Sequence, residues 1–158
     1  MIRAVTSFFV PSSEPQELAD DVRELFADLA SVLSRQSRAV SGECHPTLDV
    51  RETDEAVQVI VDIAGVPADA MRVLYRAGIL LVVGIKTSLP PGEQQTFHLV
   101  EREFGRFARA VRVNGAFDVS RARATVENGE LLVVLPKLPE RRGRAHRITV
   151  TEASARPA

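Results

Sequence analysis

Tryptophan is absent from this 158-residue chain, tyrosine occurs once, and aromatic residues make up only 5% of it. A core without large rings has to be aliphatic. Valine and leucine fill the best candidate segments, and packing of that kind favours strands over helices. Cysteine is just as scarce: Cys44 stands alone, so no intrachain disulfide can form and a reducing cytoplasm is the expected location. No run approaches the roughly 18 apolar residues of a membrane span. The apolar tip Ile2, Phe8, Phe9 and Val10 is cut by Pro11, too early for a signal-peptide core. An excess of one charge is also missing. The net charge of −1 offers no general attraction to nucleic acid or to an anionic membrane.

Signatures of catalysis are lacking too. There is no glycine-rich phosphate loop, no G-x-S-x-G and no H-E-x-x-H. His45, His98 and His146 are dispersed, and Cys44 with His45 makes two adjacent ligands without the second pair a metal site needs. No enzyme activity, metal or cofactor is expected.

What is present falls into three zones. In the first, residues 1–45, the apolar tip and a turn at 11–13 lead into a helix over about 14–33. Ser13 can cap it, Pro15 suits its first turn, and Glu14, Glu17, Asp20 and Asp21 complement the positive end of its dipole. Leu18, Val22, Leu25, Phe26, Leu29, Val32 and Leu33 recur on one helical face. Residues 34–45 are polar and irregular, a linker.

The second zone, 46–138, reads as strands. Val57, Val59, Val61 and Ile63 alternate with Gln58, Ile60 and Asp62, so one face should enter a core. Residues 71–75 extend again, and a turn at Ala77 and Gly78 leads into the unbroken apolar run 79–84, suited to a strand buried on both faces. A long connection, 87–95, contains Pro90, Pro91 and Gly92. Residues 97–100, 107–113, 122–127 and 131–135 read as further strands, with a strong hairpin signal at Asn128 and Gly129. Seven or eight short strands at this spacing predict an all-β, immunoglobulin-like antiparallel β-sandwich.

The third zone, 139–158, is arginine-rich and poor in apolar side chains, a flexible extension. Its arginines read as solubilising charge. Ile148 and Val150 are the exception, two β-branched residues on the same side of an extended segment.

At this point the residues resemble a known family. EREFGRFAR (101–109) is similar to the ER-x-FG-x-F-x-R segment of bacterial and plant small heat shock proteins. ATVENGEL (124–131) matches that family's A-x-x-x-N-G-x-L signature, LPK (135–137) its usual strand end, and ITV (148–150) its C-terminal I-x-I/V motif. DIAGV (62–66) resembles its D-[LI]-P-G-[VF] turn, with Ala64 in place of proline. Val113 and Asn114 stand where Leu-Pro is common. The likeness covers 46–137 and the tail motif, and it implies an α-crystallin domain.

The resemblance also implies roles. The chain would be an ATP-independent holdase that binds partly unfolded proteins, works as a dynamic oligomer built from dimers, and hands clients to ATP-dependent chaperones. Phe97 and Leu99 would lie on a strand that crosses to a partner's sheet, and Glu101 and Arg109 would join that dimer interface. Ile148 and Val150 would plug a neighbour's groove near Val73 and Val126. The apolar face of the arm, with Phe8 and Phe9, would take clients. Because the domain already has two sheets to form its core, the helical stripe is expected to pack on other subunits at rest.

Plainer readings stand beside these: stray apolar residues in a tail, an ordinary surface loop at 87–99, and an edge arginine snorkelling to water. Two other functions remain open, a CS-domain-like adaptor that docks on another chaperone and a structural scaffold. The tail motif and the long loop speak against the adaptor.

Overall fold

The computed structural model describes residues 14–32, 42–88 and 96–139. The expected antiparallel sandwich is what forms, preceded by helix α1 (Glu14–Val32). The strands are β1 (Leu48–Glu52), β2 (Ala56–Asp62), β3 (Met71–Arg76), β4 (Ile79–Lys86), β5 (Gly105–Arg112), β6 (Arg123–Glu127) and β7 (Glu130–Pro136). One sheet runs in the order β1-β2-β7-β6, the other β3-β4-β5, and all neighbours are antiparallel.

The inner faces follow from period two. Val57, Val59, Val61 and Ile63 are buried, and their neighbours across the ladder include Leu131, Val133 and Leu135 of β7. From the other sheet come Leu80, Val82, Phe107 and Val111, and Phe117 closes the cluster with its ring 5.9 Å from that of Tyr75, edge to face. The core is aliphatic with few rings, as composition requires.

Turn chemistry fixes the registers. Asn128 and Gly129 both have positive φ, 52° and 84°, the backbone of a tight hairpin that matches strand twist. Ala77 and Gly78 adopt the same hand at 50° and 79°. The β1–β2 turn is held by Thr53, whose Oγ1 accepts from the backbone N–H of Ala56 at 3.1 Å. At Gly105 the chain needs glycine for two reasons. Its φ is +134°, and an added Cβ would stand 2.2 Å from the Gly42 carbonyl oxygen. That proximity lets residues 42–44 strap along β5: Arg106 N–H donates to Gly42 O, and Cys44 N–H donates to Arg106 O, both at 3.0 Å.

Three features differ from the sequence reading. Residues 97–100 form no strand. Among the described residues the segment pairs with none of the strands, so its backbone hydrogen bonds are not completed by a ladder. β1 is an additional strand with little sequence signal, because its residues, LDVRE, are mostly exposed and more polar than apolar. The third difference concerns α1. Its stripe does not wait for another subunit: Leu18, Val22, Leu25, Phe26 and Leu29 pack on Leu74, Leu81, Val83 and Ile85, the outer face of the β3-β4-β5 sheet. The run 79–84 is indeed buried on both faces, and the helix is what covers the second one. A sandwich has two outer faces as well as a core, and one of them here is apolar enough to bind the stripe.

Candidate assembly and client-binding surfaces

The residues singled out in the sequence occupy four places. The first is the α1 seam just described, which gathers Leu18, Val22, Leu25, Phe26 and Leu29. Its apolar centre is Leu29, with 0% of its surface exposed. Val32 ends the helix. Phe8, Phe9 and Leu33 lie outside the described residues.

Arginines border this seam. Arg72 Nε donates to Asp28 Oδ2 at 2.6 Å, Arg76 Nη1 to Asp21 Oδ1 at 2.8 Å, and Arg76 Nη2 to Glu17 Oε2 at 3.3 Å. On the opposite side the Arg106 guanidinium lies 5.7 Å from the centre of the Phe26 ring. Sequence reasoning places the acidic residues on the polar face of α1 but has no means of finding these arginines, which come from β3 and β5.

The second place is the pair of sheet edges. Among the described residues β3 has a neighbour only in β4, and β6 only in β7. Cross-strand partners point to the same side, so Val73, opposite Val82, and Val126, opposite Leu131, both face inward at the rim of the sandwich. Val73 is half-buried against the core, whereas Val126 is left 38% exposed. Apolar side chains on open edges are what an added strand with alternate apolar residues would cover. Ile148 and Val150, the candidates for that strand, lie outside the described residues.

The third place is the segment before β5. Phe97, Leu99 and Val100 are 60%, 72% and 62% exposed, and Glu101 is exposed beside them. Three large apolar side chains in water within one short segment are costly for a chain on its own, at roughly 25 cal/mol per Å² of apolar surface.

The fourth is Arg109. It sits opposite Val82 on the inward face of β5, between the buried Phe107 and Val111. Its Nε is buried and has no hydrogen-bond partner among the described residues. An unmet buried donor of this kind calls for an acceptor.

Cys44, the last residue of the 42–44 strap, is buried, with Sγ 3.7 Å from the Gly105 carbonyl oxygen. Burial pushes its thiol above the ordinary range, nearby Lys86 opposes that shift, and Glu103 adds to it. Among the described residues no helix is long and apolar enough to cross a membrane.

Comparison with known proteins agrees with the geometry. Residues 49–151 match the model of the Hsp20/alpha crystallin family. Heat shock protein 16 of Schizosaccharomyces pombe is 34% identical over 122 residues, spanning 74% of this chain and 83% of that protein. The 16.9 kDa class I heat shock protein 1 of Triticum aestivum is 30% identical over 122 residues, or 77% and 81% of the two chains. Among solved structures, heat shock protein 16.0 from S. pombe superposes with a TM-score of 0.59 at 29% identity, over 68% of this chain and 99% of that one. A small heat-shock protein from Xylella fastidiosa has the same fold, with a TM-score of 0.60 at 23% identity over 69% and 98%. These relatives are chaperones and not enzymes. The motifs, the sandwich and the matched span converge, and the chain belongs to the Hsp20/alpha crystallin family.

Proposed function

We propose that the protein is an ATP-independent holdase: it binds partly unfolded chains on apolar surface, keeps them from aggregating, and leaves refolding to ATP-dependent chaperones. Family membership supports the class. The observation that carries the mechanism is the segment holding Phe97, Leu99 and Val100, strand-like in sequence yet held out in water without a ladder. In this reading it completes a second copy's sheet, with Glu101 and Arg109 joining the interface and the unmet Arg109 Nε finding its acceptor there. The dimer is then the first level of assembly. The X. fastidiosa relative is described as having a distinct high order structure, and assembly above the dimer is proposed here as well.

Ile148 and Val150 act as the tail plug that links dimers, seated near Val73 and Val126. Each such side chain contributes roughly 1.5–3 kcal/mol on burial before ordering costs, so one contact exchanges freely while many together hold an assembly. Clients meet the apolar arm: Phe8, Phe9 and the α1 stripe through Leu33. A single reduced cysteine suits the cytoplasm as the place of action.

The test combines native mass spectrometry with light scattering of a heat-denatured client. Wild type should be a multiple of dimers that suppresses aggregation without ATP, and Ile148→Ala/Val150→Ala should fall to dimers. A monomeric wild type would overturn the assembly reading in favour of an adaptor, and a wild type that leaves aggregation unchanged would overturn the holdase reading.

A further inference from the structure

The outer face of the β3-β4-β5 sheet has a composition that the core does not explain. Register places Arg72, Leu74 and Arg76 of β3 on the same side as Val83, Leu81 and Ile79 of β4. Ala110, Ala108 and Arg106 of β5 complete the rows opposite Leu81, Val83 and Ile85. The result is an apolar strip on β3 and β4, flanked by two exposed alanines of β5, with arginines along both borders. α1 is the complement of that strip. Its apolar stripe lies on the strip, Asp28, Asp21 and Glu17 reach the β3 arginines, and Phe26 lies beneath Arg106.

The hold of α1 on this seat is conditional. The ion pairs that tie it down are unevenly exposed: side-chain exposure is 55% for Arg76, 53% for Asp28 and 66% for Glu17, but 27% for Arg72 and 15% for Asp21. The most open of them, Arg76 with Glu17, contributes little and is screened by salt. A helix of this kind draws most of its stability from the apolar face it packs rather than from propensity. Among the described residues of the stripe only Leu29 is fully enclosed. The core of the sandwich is a separate cluster that shares no buried residue with this seam.

We propose that this face is a second binding seat, specific for amphipathic helical segments with acidic flanks, and that α1 closes it at rest by occupying it in the manner of a client. The role in client capture rests on the holdase reading; the seat and its cover do not. Unfolding proteins expose amphipathic segments of this type, and the arginine borders would favour acidic ones over basic ones. Release of α1 then bares two apolar surfaces at once, the stripe and the strip it covered.

The experiment uses the full chain and a fluorescent peptide with the sequence of residues 14–32. Asp21→Lys/Asp28→Lys reverses the helix side of the ion pairs and leaves the seat intact. It should reduce hydrogen-exchange protection of residues 14–32 and bind the peptide at least tenfold more tightly than wild type, on the order of 1.4 kcal/mol. Adding Arg72→Glu/Arg76→Glu restores opposite charges, so protection should return and the acidic peptide should be excluded. Asp21→Asn/Asp28→Asn is a milder opening and should move both readings in the same direction. Loss of protection without a gain in peptide binding overturns the seat, and equal peptide binding by wild type and opened variants overturns the cover. Aggregation of a heat-denatured client, measured in parallel, addresses the holdase reading alone: no suppression by any form refutes that reading while peptide binding still decides the seat.

Discussion

Replacing Leu29 by alanine separates the helix seam from the sandwich core. Leu29 has no exposed surface and sits among Leu81, Val83 and Ile85. Truncating a fully enclosed leucine removes its transfer free energy and leaves a cavity, together about 3 kcal/mol. Where that loss falls depends on how the molecule is partitioned. β4 alternates between two clusters: Leu80 and Val82 belong to the inter-sheet core, while Leu81, Val83 and Ile85 belong to the helix seam, and no buried residue is shared. The remaining ties of α1 are partly exposed side chains and ion pairs worth at most about 1 kcal/mol each. Most of the loss should therefore fall on docking of α1 rather than on global folding. At about 1.4 kcal/mol per factor of ten, the undocked population rises by about 100-fold. Native-state hydrogen exchange should show that drop in the amides of residues 14–32, with β2 and β7 amides unchanged. Val59→Ala is the control. Val59 is fully buried in the middle of β2, and its truncation should lower the denaturant midpoint of the whole sandwich. If Leu29→Ala lowers that midpoint as much as Val59→Ala does, and helix and sheet probes move together, α1 is an integral layer of the domain and the reasoning fails.

Other consequences are quicker to check. Gly105→Ala would force a Cβ to within 2.2 Å of Gly42 O at a φ of +134°. We expect a loss of roughly 3 kcal/mol from backbone strain and the two displaced strap hydrogen bonds, and a sharp rise in the rate at which a thiol reagent labels Cys44; a variant with unchanged labelling would show that the strap is not what shields it. Ala77→Asn should gain about 0.5–1 kcal/mol, because asparagine tolerates the left-handed turn that alanine occupies at φ 50°; thermal denaturation reads this as a rise of a few degrees. Burial raises the ionisation ranges of both the Cys44 thiol and the Tyr75 phenol. A raised folded-state value means full stability below the ordinary range and loss as pH climbs above it, so the denaturation midpoint should fall on the alkaline side, less steeply in Cys44→Ala. Stability that is flat through that range would contradict the assignment.

The fold and the candidate surfaces are legible in the sequence to different degrees, element by element, and the reason is physical. Local patterning is enough for β2, whose period-two valines all enter the core, for the hairpin at Asn128 and Gly129, and for the helix of the arm, since each depends on neighbours a few residues away. The family motifs are legible for a related cause. EREFGRFAR carries Gly105, where the 42–44 strap leaves no room for a side chain, and Phe107, which fills the space above Gly84. Composition alone requires an aliphatic core and a single thiol without an intrachain partner. Only tertiary structure decides which surface the stripe of α1 meets. That stripe fits any apolar face of the right width, and the strip it covers is assembled from β3 and β4 with arginines that are distant in sequence from Asp21 and Asp28. The same holds for residues 97–100. Their alternation has the pattern of a strand, but a strand exists only where another edge completes its hydrogen bonds, and among the described residues of one chain no edge does.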